Sequence, residues 1–507
     1  MPERFAMLVL ALLFFISGCN RYHATGNIVT VLIESSPTNL DPRIGVDAQS
    51  ERIDSLLFDA LVRRDHHFNL QPWLAEKWET PNPLTYVFHL RKDVRFHNGH
   101  PLTSTDVKYT LDSILQGMVI SVKANAYQAI DRVETPDPLT VVIYLKKPDP
   151  ALLWNLSDGG FGVVPAGSGR DFWKHPIGSG PFEFVSQEQD KEVVLQRAPH
   201  SWQPQPSIER VRFAVVPDAT TRALELQKGS ADAAMNALPA DTVYALRRER
   251  NLEIDSGPGT TLMYLIFNTR DPILRDGRVR RAIALAINRP LLIHSLYRDQ
   301  ARLAESVLPP EHWAWNGNVE AHKYDLAAAN RLLDNAGYPR QRNGFRFHIG
   351  LKTSTDEGSR LLAMAIQQQL SQAGIAVDLR SYEFATFYSD ISRGIFQIAP
   401  SRWIGGNEAP DIFRYSFATA SFPPHGANRG FYTNPELDRL LEDAASDTDQ
   451  QRQKADYDRV QEILASDLPT LNLWYLDTVL VHSRRLQNIH LSPSGNYDFL
   501  RDATVKE

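Results

Sequence analysis

The chain has 507 residues, with 54 lysines and arginines against 60 aspartates and glutamates and a net charge of −6. That length exceeds one compact core, so two or three domains are expected, and 43% hydrophobic with 22% charged residues is the composition of a soluble globular chain. There is no basic patch for nucleic acid and no acidic tail, and a single cysteine excludes a disulfide within the chain.

Behind Arg4, the apolar run from Phe5 to Ile16 falls short of the roughly 20 residues that span a bilayer and has the length of a signal-peptide core. It ends in Ile16-Ser17-Gly18-Cys19, which resembles the lipobox of bacterial lipoproteins: small residues suit the signal peptidase and the thiol takes the lipid. Residues 1–18 are therefore expected to be removed and Cys19 to carry the anchor, which needs more than one acyl chain to hold firmly. Asn20 stands where an aspartate is often linked to inner-membrane retention, which favours the outer membrane in a two-membrane cell. The short polar stretch from Asn20 to Gly26 would tether the body outside the bilayer.

Ile28 to Ile33 reads as a buried strand, Ser35 to Pro42 as a loop, and Ile53, Leu56, Leu57 and Leu61 return at helical spacing. Tyr86, Phe88 and Leu90, then Val94 and Phe96, alternate with polar residues as a half-buried strand pair does. Asn98-Gly99 is a turn, and Thr103 followed three residues later by Asp106 predicts a capped helix continuing through Val107, Thr110, Leu111 and Ile114. With LQPWLAEKWE from Leu70 to Glu79, this stretch resembles the signature of the extracytoplasmic solute-binding proteins of family 5, the peptide- and nickel-type receptors of ABC importers.

Leu139 to Leu145 is the next strand. Gly178 to Phe182, GSGPF, resembles the family's return point from an inserted lobe; the wider Gly-x-Ser-x-Gly spacing of a hydrolase nucleophile is absent and Pro181 blocks a following helix. Strands are predicted at Val211 to Val216 and at Leu262 to Asn268, with a helix from Thr221 closed by Gly229 and a short strand near Ala231 to Ala234. Val279 to Asn288 reads as a helix whose arginines at 278, 280 and 281 form a solvated face. Tyr324 to Pro339 is an amphipathic helix stopped at Gly337, and Phe345 to Leu351, Leu361 to Ala373 and Ile375 to Leu379 read as strand, helix and strand of a parallel α/β unit. A charge-laced helical pair, Leu437 to Ala445 and Tyr457 to Leu464, precedes strands over Leu471 to Val481.

The resemblance implies a two-lobed α/β fold of the periplasmic-binding-protein type II kind, closing about a hinge on its ligand. It places domain I at 19–60, 176–260 and 475–507, a β-rich inserted lobe at 61–175, and domain II at 261–474. It also marks the cleft by a Trp-containing loop, here Ser401 to Phe413, SRWIGGNEAPDIF. Peptide-binding members carry Trp-x-x-Asp-x-x-Asp-Pro there, and the first Asp takes the peptide ammonium; a charge-assisted bond is about twice as strong as a neutral one. This chain has Gly406 and Ala409 at the two acid positions. Glu408 and Asp411 are candidate replacements or ordinary surface acids, Arg402 faces an anionic ligand or pairs with Glu408, and Asn407 suits a neutral polar group. Trp403, Gly405, Gly406, Tyr264 and Ser36 complete the expected ligand-binding set, with Trp403 either on the ligand or in the core.

His97 and His100, with His89, His66 and His67 upstream, lack a clear third ligand, and position 97 is common as histidine in the family, which favours a structural role over metal. No catalytic set, metal or cofactor is expected. The reading is a monomeric, lipid-anchored receptor that delivers an oligopeptide or dipeptide to an ABC permease. The alternatives are a receptor for a saccharide, metal chelate or anionic conjugate, or a surface lipoprotein without transport.

Overall fold

The computed structural model describes residues 27–149, 151–157, 161–447 and 449–506; the expected signal peptide and the lipid attachment at Cys19 lie outside them. No helix among the described residues is long and apolar enough to cross a membrane.

Ile28–Ile33 lies within a seven-stranded mixed sheet, ordered Leu252–Gly257, Thr478–Ser483, Ala233–Met235, Ile28–Ile33, Arg210–Val215, Glu192–Arg197, Phe182–Glu188. It runs parallel to Arg210–Val215, with Ile28 opposite Arg210 and Ile33 opposite Val215. Its apolar run, interrupted only by Thr30, follows from cover on both faces: Val29, Val31 and Ile33 pack with Leu56, Phe213 and Leu480, and Leu32 with Leu226, Leu246 and Val481.

A six-stranded sheet is ordered Ala301–Leu303, Thr470–Leu476, Leu262–Phe267, Ile398–Trp403, Phe347–Ser354, Ile375–Tyr382. Its last two strands run parallel, joined by the helix Glu357–Gln372, as the sequence predicts. Asp356 caps that helix by accepting from the Ser359 amide, and Gly374 follows at φ 79°. Both connections between the large sheets are short. Leu252–Gly257 runs into Leu262–Phe267, and Thr470–Leu476 into Thr478–Ser483. The two crossings touch at Gly259, where a Cβ would stand 2.2 Å from the Leu476 carbonyl oxygen, so only glycine fits.

Ala75–Asn82, Thr85–Leu90, Thr140–Leu145 and Ile130–Asp137 form a third, antiparallel sheet, packed on the helix Ser104–Leu115. Tyr86, Phe88 and Leu90 point into that core with Val107 and Leu111. The predicted cap is present, with the Thr103 amide donating to Asp106 Oδ2 at 2.8 Å. Val94 and Phe96 are buried as their spacing predicts, but they are not a strand. The chain turns at Asp93, φ 63°, and Arg95 makes only a single bridge to Pro101, so the partners of Thr85–Leu90 are Ala75–Asn82 and Thr140–Leu145.

The GSGPF segment is held against the helix Ala48–Leu57. A Cβ on Gly178 would stand 1.8 Å from the Leu57 carbonyl oxygen and one on Gly180 2.4 Å from that of Leu56. Ser179 Oγ donates to Asp59 Oδ2 at 2.8 Å, and His97 joins the same point, accepting from the Gly178 amide at Nδ1 and meeting the Gly180 carbonyl at Nε2, 3.0 Å. A histidine with both nitrogens engaged by backbone is a structural one, as its place in the sequence suggests. The arginine face on Gly277–Ala286 needs one correction. Arg280 is buried and donates to the carbonyls of Leu274 and Leu468, because helix and chain ends converge there with unpaired oxygens.

Candidate functional site

A cavity of about 490 Å³ opens between the helix Ala48–Leu57, the segments around Lys123 and Trp154, and the loop after Ile398–Trp403. The helix Ala48–Leu57 presents its first turn to it. Asp47 fixes that end by accepting from the Ser50 amide at 3.0 Å, and Glu51 and Arg52 line the wall. From the strand Val62–Arg64 comes Arg64, from the turn Val122–Tyr127 come Lys123 and Tyr127, from the short helix Leu152–Asn155 comes Trp154, and from the loop after Ile398–Trp403 come Ile404, Gly405, Glu408 and Ala409. Three bases and two acids therefore face one another across a space wide enough for a small polar solute.

Arg64 and Glu408 close one side of this space. Arg64 Nη1 lies 2.8 Å from Glu408 Oε2, and Thr260 Oγ1 donates to Glu408 Oε1 at 2.8 Å, so both carboxylate oxygens are engaged. Asn407 anchors the loop beneath, its Nδ2 donating to the carbonyls of Thr260 and Val307. Beside the pair, His312 is stacked on Phe68 with ring centroids 5.6 Å apart at 18°, and Trp154 lies 5.8 Å away. The Ala314 amide donates to His312 Nδ1 at 2.9 Å. Burial, with the Arg64 charge adding to it, pushes the His312 imidazole down to about 3.

On the opposite wall Glu51 is pushed up to about 7, chiefly by burial, with Lys123 and Arg64 pulling the other way. Lys123 Nζ lies 3.8 Å from Glu51 Oε1 and donates to the Pro42 carbonyl at 3.0 Å. Asp54, one turn further along the helix, is held well above the usual carboxylate range, again chiefly by burial.

Of the residues predicted to bind ligand, Gly405 and Glu408 line the cavity. Gly405 has φ 71°, a turn conformation that suits glycine, and Gly406 begins the short turn Gly406–Glu408 that follows. Trp403 and Tyr264 lie elsewhere. They stack on each other at 6.1 Å and 7°, under the Arg429 guanidinium, beside a separate cavity of about 20 Å³, because antiparallel pairing of their strands brings them to one face. Arg402 alternates to the other face, is exposed, and does not pair with Glu408, which Arg64 holds instead. Asp411 pairs with Arg414 at 2.7 Å. Ser36 is buried away from the cavity, its Oγ accepting from the Asp190 amide in the turn between Phe182–Glu188 and Glu192–Arg197. Sequence reasoning missed Glu51, Arg52, Arg64, Lys123 and Trp154. Two adjacent charges in the first turn after an Asp cap were the available signal for the first pair. For the others only the packing of distant segments brings them to the site. No group of three or more His, Cys, Asp or Glu among the described residues is placed to hold a metal ion.

The glutathione-binding protein GsiB of Escherichia coli strain K12 is 27% identical over 483 residues, covering 93% of each chain, and that of Pectobacterium atrosepticum is 28% identical over 491 residues, covering 94% of each. Among solved structures, NikA from Brucella suis in complex with Fe(III)-EDTA matches with a TM-score of 0.86 at 24% identity, over 94% of this chain and 100% of that one. DppA from Helicobacter pylori in complex with the peptide STSA matches with a TM-score of 0.76 at 24% identity, over 95% and 98%. These likenesses show the mixed α/β fold of periplasmic binding proteins. Residues 69–422 match the model of the bacterial extracellular solute-binding proteins, family 5, and the chain belongs to that family.

Proposed function

We propose that this protein is the capturing receptor of an ABC importer and that it closes around a small peptide-like solute carrying both ammonium and carboxylate groups. The observation that carries this reading is the charged cavity itself: Arg52, Arg64 and Lys123 offer partners for carboxylates, and Glu51 and Glu408 for an amine. Glutathione, the ligand in the names of the GsiB relatives, is a tripeptide with two carboxylates and one ammonium, which is the charge pattern these walls complement. Residues 19–60, 176–260 and 475–507 act as one lobe bearing an insertion at 61–175, and 261–474 as the other, with the two crossings near Gly259 and Asp477 as the hinge. A ligand held by both walls favours the closed form by its differential contacts. The solute leaves unchanged for the permease, so no catalysis is involved. A cleaved leader and a lipid on Cys19 keep the monomer at the membrane surface, and Cys19→Ser is expected to yield a soluble, unlipidated protein.

Thermal unfolding of the purified protein against glutathione, di- and tripeptides, saccharides and metal chelates tests this reading. Native-state binding stabilises by about 2.7 kcal/mol at a hundredfold excess over Kd, a readily visible shift. A shift with peptides is expected. A shift only with anionic chelates would assign the three bases to a different solute, and no shift with any class would remove the receptor reading.

A further inference from the structure

Behind the Glu51 wall of the large cavity lies a second one, of about 20 Å³, that shares Glu51 and Lys123 with it and ends on Asp54, Ser55 and Phe58. Asp54 is only 6% exposed, and neither of its carboxylate oxygens has a hydrogen-bond partner among the described residues. An acid in that condition is costly to keep, since buried carboxylates are ordinarily paired or fully hydrogen-bonded. Its neighbour Ser55 is turned away, donating to the Arg52 carbonyl at 2.8 Å. Glu51 and Asp54 stand three residues apart on the helix Ala48–Leu57 and so share a face.

Resting on the peptide-receptor reading, we propose that Glu51 and Asp54 form the subsite for the ligand's primary ammonium group, in place of the acids that the loop lacks at Gly406 and Ala409. Size selects the group. A space of about 20 Å³ holds one water-sized centre, which fits an –NH₃⁺ and excludes a ring, a carboxylate or a hydrated metal. An ammonium brings three donors, and the free oxygens of Asp54 together with Glu51 offer three acceptors. Lys123 lines both cavities, its Nζ 3.8 Å from Glu51 Oε1 and donating to the Pro42 carbonyl at 3.0 Å. From this end the rest of a peptide extends into the large cavity, toward Arg52 and Arg64.

The test is calorimetric titration of the full mature protein with glutathione and trialanine, each with a free and with an acetylated amino group. The wild type is expected to bind the free-amine form of its better ligand at least tenfold more tightly than the acetylated form. In Glu51→Gln and in Asp54→Asn that ratio is expected to fall toward one. Equal wild-type affinity for both forms would overturn the subsite and leave the receptor reading standing, a measurement that needs no variant to fold. A preference for the free amine that survives both substitutions would also overturn it. Binding of neither peptide in either form would overturn the peptide-receptor reading and the subsite with it.

Discussion

Arg64 and Glu408 are 344 residues apart in the chain and 2.8 Å apart in space, an ion pair that closes one side of the candidate binding cavity. Arg64 comes from the strand Val62–Arg64 and Glu408 from the loop after Ile398–Trp403, so the pair can exist only when the two sides are together. With side chains 16% and 4% exposed, it is little screened by solvent. Glu408→Gln keeps the Thr260 bond and removes the charge. A hydrogen bond to a charged group contributes about 1.5–3 kcal/mol, so the ligand-free protein should move toward an open form and bind its ligand roughly tenfold more weakly. Small-angle scattering with and without ligand reads the first effect and titration the second.

Glu51 makes amine binding depend on pH. The groups that face it are Lys123 and Arg64, which favour its charged form, and Asp47 and Glu408, which oppose it. Asp54 is faced by Lys123, Asp41, Glu51 and Asp47. With Glu51 at about 7, part of the free protein carries a proton that an arriving ammonium must displace. Affinity for a free-amine peptide should therefore rise between pH 6 and 8, with proton release visible as a dependence of binding heat on the buffer. In Glu51→Gln that dependence should shrink, Asp54 alone remaining to titrate.

His312 adds a second, lower limb. In this structure burial pushes its imidazole down to about 3, and withdrawal of Phe68 and Trp154 from the ring would raise it toward the ordinary histidine range. A base depressed in one state disfavours that state once it must be protonated. The closed form is thus fully available above about 6.5 and increasingly disfavoured as pH falls from there toward 3. Ligand affinity should fall below pH 6 in the wild type and much less in His312→Phe, which keeps the stacking but cannot take a proton. An unchanged acid limb in that variant would assign the effect to other groups.

Gly178 and Gly169 offer a matched pair for the packing of the return segment. A Cβ at Gly178 meets the Leu57 carbonyl oxygen at 1.8 Å, whereas one at Gly169 meets nothing within 4 Å. Gly178→Ala should lower stability by about 1–3 kcal/mol or more, since backbone must move. Gly169→Ala should stay within about 0.5 kcal/mol. Melting temperatures of the two variants check this.

Much of the fold was legible because local rules hold along long segments. The apolar run at Ile28–Ile33, the Thr103–Asp106 cap and the Gly374 stop each specify their element from a few neighbouring residues. Val94 and Phe96 show the limit of periodicity: it reports burial, and a turn can bury alternate residues as well as a strand can. Of the residues lining the candidate cavity, only Gly405 and Glu408 were marked in the sequence. Trp403 and Tyr264 lie on neighbouring strands, whose pairing stacks them on each other beside a separate cavity. Arg64, Lys123 and Trp154 sit in the segment inserted between the helix Ala48–Leu57 and GSGPF, and only the return of the chain at Gly178 brings that segment over the cavity. Charge at position 51 was visible, but nothing in the sequence distinguishes a cavity acid from a solvated one at a helix start.

Titration calorimetry of glutathione and trialanine into the purified wild-type protein at pH 7.5 tests most directly whether this cavity captures a peptide-like solute. One site per chain, with affinity that depends on the closed side formed by Arg64 and Glu408, is the outcome expected. Absence of binding by both peptides, with a correctly folded protein that still melts cooperatively, would contradict it.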